Sequence, residues 1–414
     1  METTGRGSQS YPPRSIGPLE WLNFFIADVQ TGVGPFLAAY LAANRWNPRD
    51  TGLALTLGGM VTVLAGPPAG ALIDRSGRKR TLVACAILML VAGAVLLTFT
   101  THWPGVAGAQ VLIGGAAAII PAALAAITMG MVGVQRFDRQ FGANQGFNAA
   151  GNVFTALLLA AVSYWLGIHS IFPAAAVLAI PALLMLRRID PLEIDDEIAR
   201  GESETDGEPE AWWRALLLDR RFTVFLVCCF LFHLANAAML PELGEMLARG
   251  SARLSAPFMS ACIIVTQVVI ASTASLVGRL AGAWGRKRLL LVGFGVLPVR
   301  GVLYTVTHST WLLVGIQILD GVANSIFVVV SILVVADLMR STGRFNLAQG
   351  ALGTAVGLGA ALSNTVGGVI AHRYGFAASF LGLAAIALVA VALLALAVPE
   401  TGSRTREADC VATL

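Results

Sequence analysis

The sequence predicts an all-α membrane protein: twelve transmembrane helices in two six-helix bundles. Three observations carry that prediction. Of 414 residues, 56% are hydrophobic and 13% charged, where an ordinary soluble domain is about a quarter charged. Twelve apolar runs follow one another along the chain, each of about 20 residues, enough to cross a hydrocarbon core of roughly 30 Å as a helix. The last six runs also repeat features of the first six at an offset of about 203 to 208 residues, the mark of an internal duplication.

The elements fall in order along the chain. A polar tail, residues 1–16, leads straight into the first span with no cleavable signal peptide expected. Six spans are placed at 17–42, 51–73, 81–100, 105–130, 143–166 and 170–187, making an N-terminal bundle over 17–187. Residues 188–220 then break the pattern. Ten acids cluster between Asp190 and Glu210, so this segment reads as a solvated, largely disordered acidic linker, with Trp212 and Trp213 marking an interfacial helix at its end. The second bundle, 221–398, has spans at 221–243, 256–278, 288–306, 311–335, 347–370 and 377–398, and residues 399–414 form a tail.

Basic residues set the orientation. With both termini cytoplasmic, the inner loops hold Arg75, Arg78, Lys79, Arg80, Arg136, Arg139, Arg279, Arg286, Lys287, Arg288, Arg340 and Arg344, whereas the outer loops keep Arg45, Arg49, Arg249, Arg253 and Arg373. That asymmetry places the chain as a multi-pass protein of the inner or plasma membrane. A net charge of +4 arises from this placement and implies no nucleic-acid partner. The five cysteines are scattered, without a CxxC pair, and Cys228 and Cys229 read as packing residues.

The two halves match at Pro35 and Pro241, Gly70 and Gly278, His102 and His308, Gln110 and Gln317, Gly114 and Gly321, and at Gln145-Gly146 and Gln349-Gly350. The loop GALIDRSGRKR, Gly70 to Arg80, returns as GRLAGAWGRKR, Gly278 to Arg288, and the chain's only two lysines, Lys79 and Lys287, occupy the same place in each copy. Small residues allow helices to approach closely, a carboxylate suits a helix N-terminus, and basic residues stay out of lipid.

This loop, with its degenerate second copy, resembles the signature between the second and third helices of the major facilitator superfamily, and the resemblance covers nearly the whole chain. It implies two six-helix bundles that rock about a central cavity lined by the first, fourth, seventh and tenth helices. It also implies a cytoplasmic latch at Gly70, Asp74, Arg75, Gly77, Arg78 and Arg80, in which Asp74 docks on the inner end of the eleventh helix. The second copy, with Gly278, Gly285, Arg286 and Arg288, has Gly282 where an aspartate would stand. Two features depart from the family's proton-coupled drug antiporters. Gln110, ahead of IGGAAA, stands where many carry an arginine, and the fifth span offers AGNVFTALLLAA without their glycine-proline pattern.

Function is sought where the chain accepts polar groups in lipid, at about 2.5 to 3.5 kcal/mol for a charge at mid-helix. The first span has Asp28, Gln30 and Thr31, the fourth Gln110, and the seventh His233 and Asn236. In the tenth, Gln317, Asp320 and Asn324 are spaced i, i+3 and i+7 and share one face. Arg300 in the ninth either snorkels to the outer interface or pairs with Asp320. On the fifth span, Gln145, Asn148 and Asn152 form a stripe that either lines the path or serves as packing glue. His233 either contacts solute or is a core histidine satisfied by a carbonyl. Glu20, Glu242 and Glu245 read as interfacial.

No nucleophile with partners, no metal-ligand spacing and no phosphate cradle appears, so no enzymatic activity, cofactor or metal is expected. The reading is a monomeric secondary transporter of a small organic solute, coupled to protons through Asp28 and Asp320, and exporting. The alternatives are an uncoupled facilitator or importer, and a transporter-like sensor.

Overall fold

The computed structural model describes residues 14–31, 33–199, 219–307, 309–339 and 345–401, and within them all side chains but those of 28–31, 33–35, 134 and 346. The first bundle comprises α1a (Ile16–Thr31), α1b (Val33–Ala43), α2 (Pro48–Arg75), α3 (Lys79–Phe99), α4 (Trp103–Val132), α5 (Val134–Leu166) and α6 (Ile171–Arg188). The second comprises α7a (Arg220–Asn236), α7b (Met239–Gly250), α8 (Ala252–Trp284), α9 (Arg286–Val306), α10 (Thr310–Leu338), α11 (Phe345–Tyr374) and α12 (Phe376–Ala397). All twelve expected spans are present. Eleven stretches are long and apolar enough to cross a membrane, the seventh interrupted at 237–238; the first is described over Ile16–Thr31 and Val33–Ala43, with residue 32 outside the described residues.

The second bundle opens with a helix broken at 237–238, and proline gives part of the reason. Pro241 has no N–H for the carbonyl of Ala237, and its ring crowds that oxygen. Proline alone is insufficient, since α9 runs through Pro298. At the break, the N–H of Ala238 also leaves the helix ladder and donates to Ser363 Oγ of α11 at 2.9 Å. Pro35 is the matching proline of the first bundle, and residue 32 near it lies outside the described residues.

Six crossings per half bring residues 14, 190 and 400 to one face, called here the linker face, and leave the other as the far face. On the far half the bundles touch. Phe36, Tyr40 and Leu41 of α1b share a buried cluster with Ala248 of α7b and Met259 of α8. Thr56 Oγ1 donates to Ala361 O at 2.7 Å, Thr365 and Thr56 hydroxyls lie 2.7 Å apart, and Arg249 donates to Trp46 O at 3.0 Å. Among the described residues these are the hydrogen bonds between bundles. Glycine allows the approach: a Cβ on Gly52 would meet the Asn364 backbone, and one on Gly368 the Pro48 backbone.

The linker half is different. A Cβ on Gly66 or Gly70 of α2, Gly142 or Gly146 of α5, Gly278 or Gly282 of α8, or Gly350 or Gly353 of α11 would find nothing within 4 Å. The four helices that meet on the far half diverge below it.

The start of the linker corrects the expectation of disorder over 188–220. Asp190 N donates to Ser15 Oγ (2.9 Å), Ser15 N to Glu193 Oε2 (3.0 Å), and Asp195 N to Gly130 O (3.0 Å). A helical turn, Asp196–Ala199, follows, and Asp196 Oδ1 lies 2.6 Å from Lys79 Nζ. The second bundle has the counterpart. Glu400 accepts from the backbone N–H groups of Arg286 (2.8 Å) and Lys287 (3.2 Å), and Lys287 Nζ donates to Ala395 O at 2.7 Å. The duplication therefore extends past the sixth helix of each half. Trp212, Trp213, His308, Arg340 and Arg344 lie outside the described residues, as do both chain ends.

Candidate functional site

Among the described residues, the buried Arg–Asp pair of the membrane interior lies in the second bundle. Arg300 of α9 is 1% exposed and Asp320 of α10 is 6% exposed, and Arg300 Nη1 pairs directly with Asp320 Oδ1. Of the two fates open to Arg300, the structure takes the ion pair. Two charges in an apolar interior are tolerated only when their remaining hydrogen-bonding capacity is met. Here α7a, α8, α9 and α10 each supply a group. Nη1 also donates to Asn236 Oδ1 (2.6 Å), and Nε donates to Tyr304 Oη (3.0 Å). Asp320 Oδ1 accepts from Asn324 Nδ2 (2.9 Å) and Oδ2 from Thr266 Oγ1 (3.2 Å). Gln317 Nε2 donates to Tyr304 Oη at 2.6 Å. The predicted stripe of Gln317, Asp320 and Asn324 is one connected network.

His233 sits at the edge of this network. It is half-buried, its ring packs edge-on against Phe327 at 4.5 Å between centroids, and Nδ1 lies 3.2 Å from Cys229 O. A carbonyl can only accept, so Nδ1 carries the proton and Nε2 is left to accept one. His233, beside the network, and Asn324, within it, are half-buried. Cys228 and Cys229 are fully buried, as packing requires.

In the first bundle the polar groups form a separate stripe. Gln140, Asn144, Asn148 and Asn152 recur every four residues along α5. Asn144 donates to Thr128 Oγ1 (3.0 Å), Gln140 to Glu20 Oε1 (3.0 Å), and Asn152 to Asn148 Oδ1 (3.3 Å). Asn148 reaches Asn23 O at 3.5 Å. Asn148 thus stands apart from the Arg300 network. Gln110 is corrected: it is 5% exposed and its amide donates to Ala54 O of α2 at 2.9 Å, which makes it a tie between helices. Asp28 and Gln30 lie outside the described side chains.

The loop residues also depart from expectation. Asp74, Arg75 and Arg78 are exposed, and among the described residues Asp74 has no partner on α11. Lys79 and Arg286 hold the loops instead, through Asp196 and through Asp337 at 2.8 Å. Arg80 Nη2 caps the end of α6 at Leu186 O and Arg187 O (3.1 and 3.2 Å). Gly285 takes φ +97 at the start of α9, a left-handed turn that glycine adopts readily. Arg288 forms no salt bridge among the described residues.

Glu242 and Glu245 correct the reading as interfacial: they are 3% and 2% exposed. They lie one turn apart on α7b, and Glu242 packs against α11 and α12 of its own bundle. The Ser379 hydroxyl of α12 lies 2.9 Å from Glu242 Oε1, and Oε2 of both glutamates is buried without a partner among the described residues. Tyr304, Thr266 and these two glutamates were missed in sequence. Tyr304 alone carried a signal, one turn beyond Arg300.

The profile of the Major Facilitator Superfamily matches residues 21–297 and, overlapping, 238–409. An uncharacterized MFS-type transporter of Mycobacterium tuberculosis, recorded for strains CDC 1551 and H37Rv, is 40% identical over 394 residues, 94% of each chain. Among solved structures, a mutant of the nucleoside transporter NupG superposes with a TM-score of 0.79 at 14% identity, covering 92% of this chain and 99% of the other. A mutant of the peptide transporter POT with alafosfalin gives 0.74 at 14% identity, covering 95% and 96%. At that identity the structural likeness speaks for the fold alone.

Proposed function

The chain belongs to the major facilitator superfamily, and from that premise we propose that it is a proton-coupled secondary transporter that moves a small organic solute across the cell membrane by alternating access. One observation carries the reading. The bundles are closed on the far half, while the glycines of α2, α5, α8 and α11 face open space on the linker half. Small residues without a contact are what a second packing of the same helices would use. The basic loops make the linker face cytoplasmic, so the conformation is inward-open. Solute is held between the bundles, where Asn324 and His233 offer hydrogen bonds backed by the rigid Arg300–Asp320 network. No step of this cycle calls for a cofactor or for enzymatic chemistry.

Coupling rests on the carboxylates. Asp320 is fully engaged by Arg300, Thr266 and Asn324. Glu242 and Glu245 are buried carboxylates, each with one oxygen unpartnered among the described residues, and a group whose hydration differs between two states binds protons differently in them. These two glutamates join Asp28 and Asp320 as proton sites.

The test is flux in proteoliposomes, over a panel of nucleosides, amino acids, cations and neutral drugs, with and without an imposed pH gradient. Gradient-driven flux of one class is expected, its sign giving the direction, with Glu242→Gln losing the gradient dependence while downhill exchange persists. Flux indifferent to the gradient in the unmodified protein leaves the uncoupled facilitator, and no flux of any solute leaves the sensor.

A further inference from the structure

A cavity of about 550 Å³ opens on the linker face of the first bundle, between the first turn of α3 and the last turn of α6, with Pro191, Ile194 and Asp196 of the linker along its rim. Its chemistry is divided. At one end stand Arg78, Lys79, Arg80 and Arg187, opposed by one carboxylate, Asp196. Lys79 is committed to that carboxylate. Arg78 and Arg187 are exposed and form no salt bridge among the described residues. Arg80 uses Nη2 on the α6 carbonyls, but its Nε is buried without an acceptor. The first turn of α3 has no side-chain cap, so its N–H groups add to the positive field.

At the other end the walls are Ala84 and Leu88 of α3 and Leu183 of α6. Leu88 is 54% exposed and is unopposed by another helix. It lies about 14 Å along the helix from Lys79, the direction in which the membrane interior begins. A free anion would use the cationic end and leave the apolar strip without a purpose. A phosphodiester with acyl chains uses both.

We propose that this cavity binds the head group of an anionic phospholipid from the linker-side leaflet, its phosphate held by Arg78, Arg187 and Arg80 Nε–H and one acyl chain lying against Leu88 and Leu183. The occupant would tie α3, α6 and the start of the linker into one unit of the first bundle. The site is separate from the solute path and does not depend on the transport reading.

Native mass spectrometry of the full chain in detergent tests this, with phosphatidylglycerol and phosphatidylcholine of identical chains as probes and inorganic phosphate and glycerol phosphate as competitors. Phosphatidylglycerol should be retained about tenfold over phosphatidylcholine. Arg78→Gln with Arg187→Gln should lower that retention about tenfold, and Arg188→Gln, an exposed charge outside the cavity, less than about twofold. If the double variant does not fold, Leu88→Asn, which leaves every charge in place, should lower retention about fivefold. Equal retention of the two lipids, an equal loss in Arg188→Gln, unchanged retention in Leu88→Asn, or displacement by inorganic phosphate at the lipid's own concentration would each overturn the assignment. The last would identify a free-anion site.

Discussion

Arg300 and Asp320 each have a cost in isolation that their contact removes. Breaking such a buried pair from one side leaves an uncompensated charge, worth about 3 to 5 kcal/mol, whereas removing both members together is often near neutral. Asp320→Asn alone is therefore expected to lower the melting temperature in detergent by several degrees, and Arg300→Gln with Asp320→Asn to recover most of that loss. Additive losses in the double variant would show that the two side chains act separately. The shared face of Gln317, Asp320 and Asn324 was legible from spacing, and so was the proximity of Arg300. Thr266 was not, because a lone threonine on a long apolar helix gives no sign of the carboxylate it meets. Gln110 misled for the opposite reason: an amide deep in a span has the same sequence signature whether it faces a cavity or a neighbouring backbone.

At the scale of the element, the broken α7 determines where polar groups end up. A straight seventh helix would carry Glu242 and Glu245 towards the outer interface, which is how they read in sequence. With the break at 237–238 both are buried, Glu242 beside Gly367 of α11 and Ser379 of α12. The matched prolines, Pro35 and Pro241, were visible, but proline within a helix is tolerated at Pro121, Pro181 and Pro298. The tie from Ala238 to Ser363 is a tertiary fact that no local pattern encodes. Pro241→Ala returns an N–H to the helix and favours a continuous α7. The expected result is a melting temperature unchanged or raised and a solute turnover reduced about tenfold. Unchanged turnover would mean that the break has no part in the cycle.

For the whole molecule, the twelve spans were legible because hydropathy is a strong constraint in a bilayer. The clamps made by Asp196 and Glu400 were not, since both acids look like members of polar tails. Each clamp fixes the loop after α2 or α8 to the exit of its own bundle, so the bundles are built to move as units. Under the alternating access proposed above, the contacts that change would be those between bundles and few within them. Gly52→Ala forces a Cβ against backbone on the far half and should weaken that closure by about 1 to 3 kcal/mol, read as faster labelling of an introduced Met259→Cys from the outside. No gain in labelling would argue that the far closure absorbs the added atom.

The unfilled space beside Gly70 and Gly278 has a different consequence. A Cβ at either position meets nothing within 4 Å in the conformation described here, so Gly70→Leu and Gly278→Leu should express and melt like the parent while flux falls about tenfold or more. A survey that ranks variants by yield or heat resistance would score such positions as silent. Their importance would emerge only from assays that follow cargo through complete rounds, because the harm lies in a shape the resting protein does not display.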